Sequence, residues 1–241
     1  VNHLEGHALS PTINKKIEFP YLLLLISGGH TQFLEVLGVN KYKRLGTTID
    51  DALGEAFDKT AKLLGIEFPG GPVIEEWAKK GDKNYFILPK PILKKGGCNL
   101  SFAGLKTAVL RTSKELKNVK EKYHLAASFQ KTINEILYEK TKIAMKDFLK
   151  NKKKKKNTFV IAGGVASNLS IRENLTKLSK EKSFVPIFPP INLCSDNAAM
   201  IAWAGIERYK VHLIDNLESP LKARWPLDDS APFLKGAGLK L

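Results

Sequence analysis

Two histidines near the start of the chain, His3 and His7, stand four positions apart. On a helix, side chains four residues apart lie on one face about one turn from each other, so both imidazoles can reach a single metal ion. An isolated pair of this kind is weak evidence, because two ordinary surface or packing histidines would look the same. The pair is therefore a candidate metal site that needs a third ligand.

The glutamate between these histidines argues against a zinc protease. In the zinc-protease motif the glutamate directly follows the first histidine, where it can act as general base beside the metal-bound water. Glu5 instead comes two residues after His3, and on a helix that offset turns it about 200° away from the first ligand. A metalloprotease would therefore lack its catalytic base.

Glycine-rich segments follow two predicted buried strands. The first segment, Ser27-Gly28-Gly29-His30-Thr31, comes after an apolar run, and the second, at 163–168, comes after another such run. Glycines let the backbone approach a phosphate, and amides and hydroxyls can bind its oxygens. Together with Pro69-Gly70-Gly71-Pro72 they indicate a nucleotide site, although neither is a P-loop or a Gly-x-Gly-x-x-Gly sequence.

Two aspartates have simpler alternative explanations. Asp58 lies on a predicted helix, where it could be an exposed carboxylate paired with Lys59 or Lys62. Asp196 precedes a predicted helix, and N-capping alone would explain it. Taken singly, these residues do not decide a function.

The elements that must position these residues alternate between strands and helices. Short apolar or alternating runs predict strands at 21–26, 31–37, 41–47, 158–162 and 184–188. Helical spacing and capping residues predict helices from Asp50 or Asp51 to Leu64, at 73–80, at 125–149, from about Asn168, and from Ser195 or Asp196 to Tyr209. Residues 68–72 and 82–100 are predicted loops. This order is typical of an α/β fold.

The composition favours an anionic partner. Lys and Arg exceed Asp and Glu by 39 to 24, a formal net charge of +15, and nucleic acid is the usual partner of such a chain. A solvated surface is the alternative, and the run Lys152 to Lys156 is predicted to be an exposed loop. Cys98 and Cys194 are far apart, which favours a reducing, cytoplasmic compartment. No apolar run approaches the roughly 20 residues of a membrane span.

Taken together, the motifs resemble one family over nearly the whole chain. They are Asn2-His3-Leu4-Glu5-Gly6-His7, residues 25–32, 50–59 and 68–72, Ser101-Phe102-Ala103-Gly104-Leu105-Lys106-Thr107, residues 163–168, Ser195-Asp196-Asn197-Ala198-Ala199-Met200 and residues 223–228. This combination resembles the bacterial-type TsaD family, the tRNA adenosine threonylcarbamoyltransferases. Ser195 stands where the family usually has Thr, and Ala103 where it usually has Ser; we expect little consequence from either change.

The resemblance implies a fold like that of actin and the sugar kinases, with two α/β lobes and a nucleotide between them. It divides this chain into a remnant of the first lobe with a metal-binding helix at 1–20, a second lobe at 21–190, and a segment at 191–241 that returns to the first lobe. Family members begin with further residues, and this chain opens at Val1 without a Met. We therefore expect an incomplete first lobe and a fragment that is poorly stable or inactive alone.

The resemblance also implies the site residues. It assigns His3, His7 and Asp196 to one divalent metal ion, iron (Fe2+) or zinc. It assigns the adenylate substrate to Leu25, Ile26, Ser27, Gly28, Gly29, Asp58, Gly71, Glu75 and Asn168. No side chain is an obvious general base, so none is assigned.

The implied reaction moves the threonylcarbamoyl group of threonylcarbamoyl-adenylate to the N6 amino group of the adenosine next to the anticodon, in tRNAs that read codons beginning with A. Implied bacterial partners are an inert paralogue (TsaB-like) and a small ATPase (TsaE-like), with no membrane. Two alternatives stay open: a small-molecule or protein carbamoyltransferase of the same fold, and a non-catalytic nucleotide-binding scaffold.

Overall fold

A computed structural model describes residues 1–150, 157–216, 218–219, 222 and 225–232, and it contains one five-stranded sheet. The strands are β1 (Tyr21–Ile26), β2 (Thr31–Gly38), β3 (Lys41–Thr47), β4 (Asn157–Ala162) and β5 (Phe184–Ile187), in the spatial order β3-β2-β1-β4-β5. β1 to β3 form an antiparallel meander, while β4 and β5 continue the sheet in parallel with β1. The predicted loop Lys152 to Lys156 lies outside the described residues.

Helices cover both faces of this sheet. They are α1 (His3–Leu9), α2 (Leu53–Leu64), α3 (Gly70–Lys80), α4 (Ala103–Ser113), α5 (Val119–Leu149), α6 (Leu169–Glu181) and α7 (Ala198–Lys210). The central strand β1 sends alternate side chains into two apolar cores, one containing Leu22 and Leu24 and the other containing Leu23 and Leu25. Because both faces of β1 are buried, its sequence is an unbroken apolar run. The predicted α/β class is confirmed.

The predicted cap of α2 is wrong. Ala52 occupies the N-cap position without a side-chain hydrogen bond, and the Leu53 N–H donates instead to the Thr31 hydroxyl at 2.8 Å. Asp50 caps a different helix, since its carboxylate accepts the N–H groups of Phe102 and Ala103 at the start of α4. The sequence therefore predicts correctly that Asp50 can cap a helix, but it assigns this residue to α2 instead of α4.

The predicted loop at 68–72 is only partly a loop. Helix α3 begins at Gly70, with Pro69 at its N-cap, so Pro72 lies within the first turn rather than opening the helix. Proline is tolerated there because the first N–H groups of a helix have no partner within the helix to lose.

The N-cap of helix α7 lies one residue after Asp196, the later of the two predicted caps. Asn197 is the N-cap, and its side chain accepts the N–H of Met200 at 2.8 Å. Asp196 is therefore not needed for capping and is available for another contact. Within the described part of the chain, no helix is long and apolar enough to cross a membrane.

A buried ion pair joins α1 to α7. The Glu5 carboxylate is fully buried and accepts hydrogen bonds from the Asn40 N–H at 2.8 Å, the Tyr42 hydroxyl at 2.9 Å and Arg208 Nε at 2.5 Å. Arg208 also donates to the Asn40 side chain at 2.7 Å. The two helices and the turn between β2 and β3 are thus held by one charged network, and Glu5 is committed to this network.

Candidate metal and nucleotide site

Three side chains from the two ends of the chain converge in a cluster. His3 and His7 lie on α1, and Asp196 lies just before α7, so the packing of these helices brings them together. Asp196 Oδ1 is 3.0 Å from His7 Nε2 and 3.4 Å from His3 Nε2. One possible ligand atom from each of the three residues, an imidazole nitrogen or a carboxylate oxygen, lies within 4.8 Å of the other two.

The donor set of this cluster fits a single transition-metal ion. Two imidazole nitrogens and one carboxylate oxygen are a common set for zinc, and with open positions for ferrous iron. Burial, and then the neighbouring His3, lower the pKa of His7, although Asp196 acts in the opposite direction. The lowered pKa favours the neutral imidazole, which is the form that binds metals. The other nitrogen of His7, Nδ1, is buried without a hydrogen-bond partner among the described residues.

A third histidine belongs to the same neighbourhood. His30 is half-buried at the end of the turn after β1, where its backbone N–H donates to the Ser27 hydroxyl at 3.1 Å. Burial lowers the pKa of His30, and the nearby His3 and His7 lower it further. The sequence places His30 in a glycine-rich segment but predicts no role for it. Only the folded chain brings this turn beside the histidine pair.

A cleft next to this cluster collects the glycine-rich segments. A cavity of about 540 Å³ is lined by residues of all three segments and of the helices that they begin: Gly28, Gly54, Phe57, Asp58, Phe68, Pro69, Gly71, Pro72, Glu75, Gly164, Val165, Ser167, Asn168, Leu169, Ile191 and Ser195. This volume lies within the usual range of small-molecule sites. Ser195 connects the cleft to the metal-ligand cluster, because the next residue is Asp196.

The structure brings together most, but not all, of the predicted adenylate residues. Five of them line the cleft: Gly28, Asp58, Gly71, Glu75 and Asn168. Leu25 and Ile26 are fully buried strand residues that support the turn from behind. Ser27 and Gly29 belong to the turn but do not line this cavity.

The two carboxylates of the cleft are already partly engaged. Asp58 Oδ1 accepts the Gly70 N–H at 3.2 Å, and Glu75 Oε1 accepts the N–H groups of Leu169 and Ser170 at 2.7 and 3.1 Å. These contacts hold α3 against α2 and α6. They use one oxygen of each carboxylate, so the second oxygen can accept hydrogen bonds from a ligand.

The amide of Asn168 has a structural role. Its Oδ1 caps α6 by accepting the Ile171 N–H at 2.9 Å, and its Nδ2 donates to Gln130 Oε1 at 2.9 Å. A buried amide with both ends paired has a fixed orientation. Asn168 therefore sets the direction of the helix start that forms one wall of the cleft.

Substituting Gly54 with alanine is expected to weaken nucleotide binding. A Cβ at Gly54 would lie 2.7 Å from both the Ser27 carbonyl oxygen and the Gly28 Cα, so the turn after β1 would have to move. Overpacking of this kind typically costs about 1–3 kcal/mol. We expect the affinity for AMP, measured by calorimetry, to fall by roughly tenfold or more. Gly96→Ala is the control, because nothing lies within 4 Å of its Cβ. Equal affinities for both variants would contradict the expectation.

The fold and the cleft define a class of protein before any family is considered. The structure resembles full-length HypF in its phosphate- and nucleotide-bound form, with a TM-score of 0.64 at 13% identity over 88% of this chain and 36% of the HypF chain. At this identity the likeness concerns the fold alone. It agrees with the predicted α/β fold of the actin and sugar-kinase type.

The sequence comparisons identify the family. Residues 1–203 match the family described as TsaD: tRNA N6-adenosine threonylcarbamoyltransferase. The tRNA N6-adenosine threonylcarbamoyltransferase of Pelagibacter ubique is 69% identical over 100% of this chain, and that of Zymomonas mobilis is 52% identical over 100%. The enzyme of the same name from Rickettsia massiliae is 53% identical over 95% of the chain. This chain therefore belongs to the family of tRNA N6-adenosine threonylcarbamoyltransferases, transferases that modify tRNA.

The chain spans about two thirds of the length of these relatives, namely 68%, 66% and 67%. The predicted family is confirmed by this match, and tRNA follows as the acceptor substrate.

Proposed function

We propose that the cleft and the His3–His7–Asp196 cluster form one active site for threonylcarbamoyl transfer. The observation that carries this proposal is the adjacency of Ser195 and Asp196: the first lines the nucleotide cleft and the second completes the ligand cluster. A group bonded to a nucleotide phosphate in the cleft would therefore be presented next to the cluster. The donor is threonylcarbamoyl-adenylate, and the acceptor is N6 of the adenosine beside the anticodon.

The residues of the cleft have separate roles in this proposal. The turn at 27–29 approaches the phosphate with backbone N–H groups, because its glycines leave no side chain in the way. The free oxygens of Asp58 and Glu75 accept hydrogen bonds from ribose hydroxyls. When bound, an iron or zinc ion on His3, His7 and Asp196 would supply Lewis acidity and a fixed position for an oxygen of the substrate.

Bond making and bond breaking follow from this placement. The N6 lone pair of the tRNA adenosine forms a bond to the carbamoyl carbon, and the bond from that carbon to the phosphate oxygen breaks. AMP leaves with the electron pair of that bond, and N6 loses a proton to water. An adenylate is a good donor because the departing phosphate is a weak base, and the N–H groups of the turn can stabilise the negative charge that it gains. Holding the donor and the acceptor together supplies the rest of the rate enhancement.

Partners of the enzyme form part of the proposal. The excess of 39 basic over 24 acidic residues suits a polyanionic substrate such as tRNA. We propose that in a bacterial cell the enzyme works with an inert TsaB-like paralogue and a small TsaE-like ATPase. Support for these two proteins comes only from the resemblance to the family.

A transfer assay tests the proposed function. The full-length protein would be mixed with purified threonylcarbamoyl-adenylate and unmodified tRNA, with and without the two partner proteins, and modified adenosine would be measured by mass spectrometry. We expect modification with the natural protein and none with His3→Ala. If the natural protein and every partner leave tRNA unmodified, the assignment fails, and transfer of a carbamoyl group to a small molecule or protein becomes the reaction to test.

A further inference from the structure

Three large apolar side chains are left exposed around the cleft. Phe68 is 84% exposed, Leu169 is 51% exposed and Ile191 is 56% exposed, and all three line the same cavity of about 540 Å³. Exposed apolar surface concentrated at one rim marks a place where another apolar surface binds.

Leu169 also borders a larger cavity of about 950 Å³, whereas Phe68, the only aromatic residue of the three, borders a different second cavity. This neighbouring cavity, also of about 540 Å³, shares Gly28, Asp58 and Phe68 with the cleft and is otherwise lined by Glu55, Lys59, Ala61, Lys62, Ile66, Glu67 and Gly70. The Phe68 ring therefore lies on the wall between two ligand-sized spaces. A ligand that fills only the cleft can contact only part of this ring.

The second cavity contains one basic side chain that is not already neutralised. Lys59 pairs with Glu55 at 2.5 Å and with Asp51 at 3.2 Å. Lys62 is exposed and makes no ion pair within the described residues. An exposed aromatic ring next to an unpaired lysine is the combination that binds single-stranded nucleic acid, in which the base stacks on the ring and the phosphate meets the cation.

We propose that Phe68 is the stacking platform for a nucleobase of the tRNA substrate, from a nucleotide next to the acceptor adenosine, and that Lys62 meets a phosphate of the same strand in the second cavity. The inference rests on the proposed function and extends it to the surface that positions the acceptor. The tRNA is favoured over the adenine of the donor because the cleft has its own apolar wall in Leu169, Ile191 and Val165 for that base. A polynucleotide is longer than the donor, so the rest of its strand must lie across the rim when one of its bases enters the cleft.

The Phe68→Ala variant tests this inference. We expect the KM for tRNA in the transfer assay, and the Kd of an unmodified anticodon stem-loop RNA by fluorescence anisotropy, to rise roughly 5- to 150-fold. The affinity for AMP should fall by a smaller factor than the affinity for RNA, because a nucleotide in the cleft contacts only part of the ring, and Phe68→Trp should restore RNA binding. Tyr209→Ala is the matched control, since Tyr209 is an aromatic residue 69% exposed on α7 and does not line either cavity.

A second variant tests the role of Lys62. Removing one phosphate contact to a single strand lowers the slope of log K against log salt by about 0.7. We expect Lys62→Ala to produce this change in stem-loop binding, and Lys59→Ala to produce less, because Lys59 is already paired.

The remaining outcomes would overturn either this inference or the proposed function. If Phe68→Ala weakens AMP binding while RNA binding is unchanged, the ring stacks on the adenine of the donor and the inference is overturned. Unchanged RNA and AMP binding would overturn it as well. If the natural protein binds the stem-loop but transfers nothing, the proposed function fails, while the RNA-binding comparison still decides the role of Phe68.

Discussion

Asp196→Ala is expected to remove metal binding and threonylcarbamoyl transfer together. Asp196 is the only carboxylate of the cluster among the described residues, and its Oδ1 lies within 3.4 Å of both histidine Nε2 atoms. Without it, the half-exposed His3 and the buried His7 would have to hold an ion as a pair. Losing an outer-shell partner already costs roughly 10–100-fold in metal affinity, and losing a ligand should cost more. Titration with zinc or cobalt, and metal analysis of the purified protein, would measure the loss.

The control for this experiment is Asp215→Ala, which removes an exposed acid outside the cluster. We expect its metal content and transfer rate to equal those of the natural protein. If Asp196→Ala kept the natural metal stoichiometry and affinity, the cluster would not be the metal site. If metal were lost but transfer continued at the natural rate, the metal would have no part in the reaction.

Breaking the buried Glu5–Arg208 pair is expected to produce the largest loss of stability. Glu5 is completely buried and the side chain of Arg208 is only 10% exposed. Removing one partner of such a pair leaves an uncompensated buried charge, which typically costs about 3–5 kcal/mol. Glu5→Ala and Arg208→Met should each lower the free energy of unfolding by about this amount in urea denaturation.

Two further variants separate this effect from a general effect of charge removal. Glu76→Ala removes an exposed i,i+4 partner of Lys80 and should leave the free energy of unfolding nearly unchanged, because solvent screens such a pair. The double variant Glu5→Ala with Arg208→Met leaves neither charge of the pair without its partner, so its loss of stability should be smaller than the sum of the two single losses. If Glu5→Ala had the same free energy of unfolding as Glu76→Ala, the network would not be important for the stability of the fold.

The same network should also affect the ligand cluster. Glu5 and Arg208 hold α1 against α7, and these are the helices that position His3, His7 and Asp196. We expect the metal affinity of Glu5→Ala to fall at temperatures where the protein remains folded. Metal titration below the unfolding transition would measure this effect separately from stability.

Local patterns in the sequence predicted most of the elements. The apolar run of β1, the alternation of β2 and the spacing of α2 carry their information within a few residues, and the structure confirms all three. The start of α5 was placed too late, because the polar first turn from Val119, capped by Asn118, shows no apolar spacing. Hydrophobic periodicity detects the buried part of a helix and misses an exposed first turn.

Contacts between distant residues could not be predicted in the same way. Asp50 caps α4 through residues 52 and 53 positions later in the chain, and nothing in the local sequence distinguishes this from capping of α2. Similarly, the spacing of His3 and His7 predicted a shared face, but Asp196 lies 189 positions from His7. Only the resemblance to a family suggested that third ligand before the fold was known.

Ser195 and Asp196 are neighbours in the chain that contact different ligands in the proposed site. We expect the two binding equilibria to be coupled, because a displacement of one residue would displace the other. If a bound metal ion changes the affinity for nucleotide by some factor, a bound nucleotide must change the affinity for metal by the same factor. The fraction of metal that a chelator removes at equilibrium would accordingly depend on nucleotide concentration, so the metal content of purified protein would reflect the nucleotides present when the cells were broken.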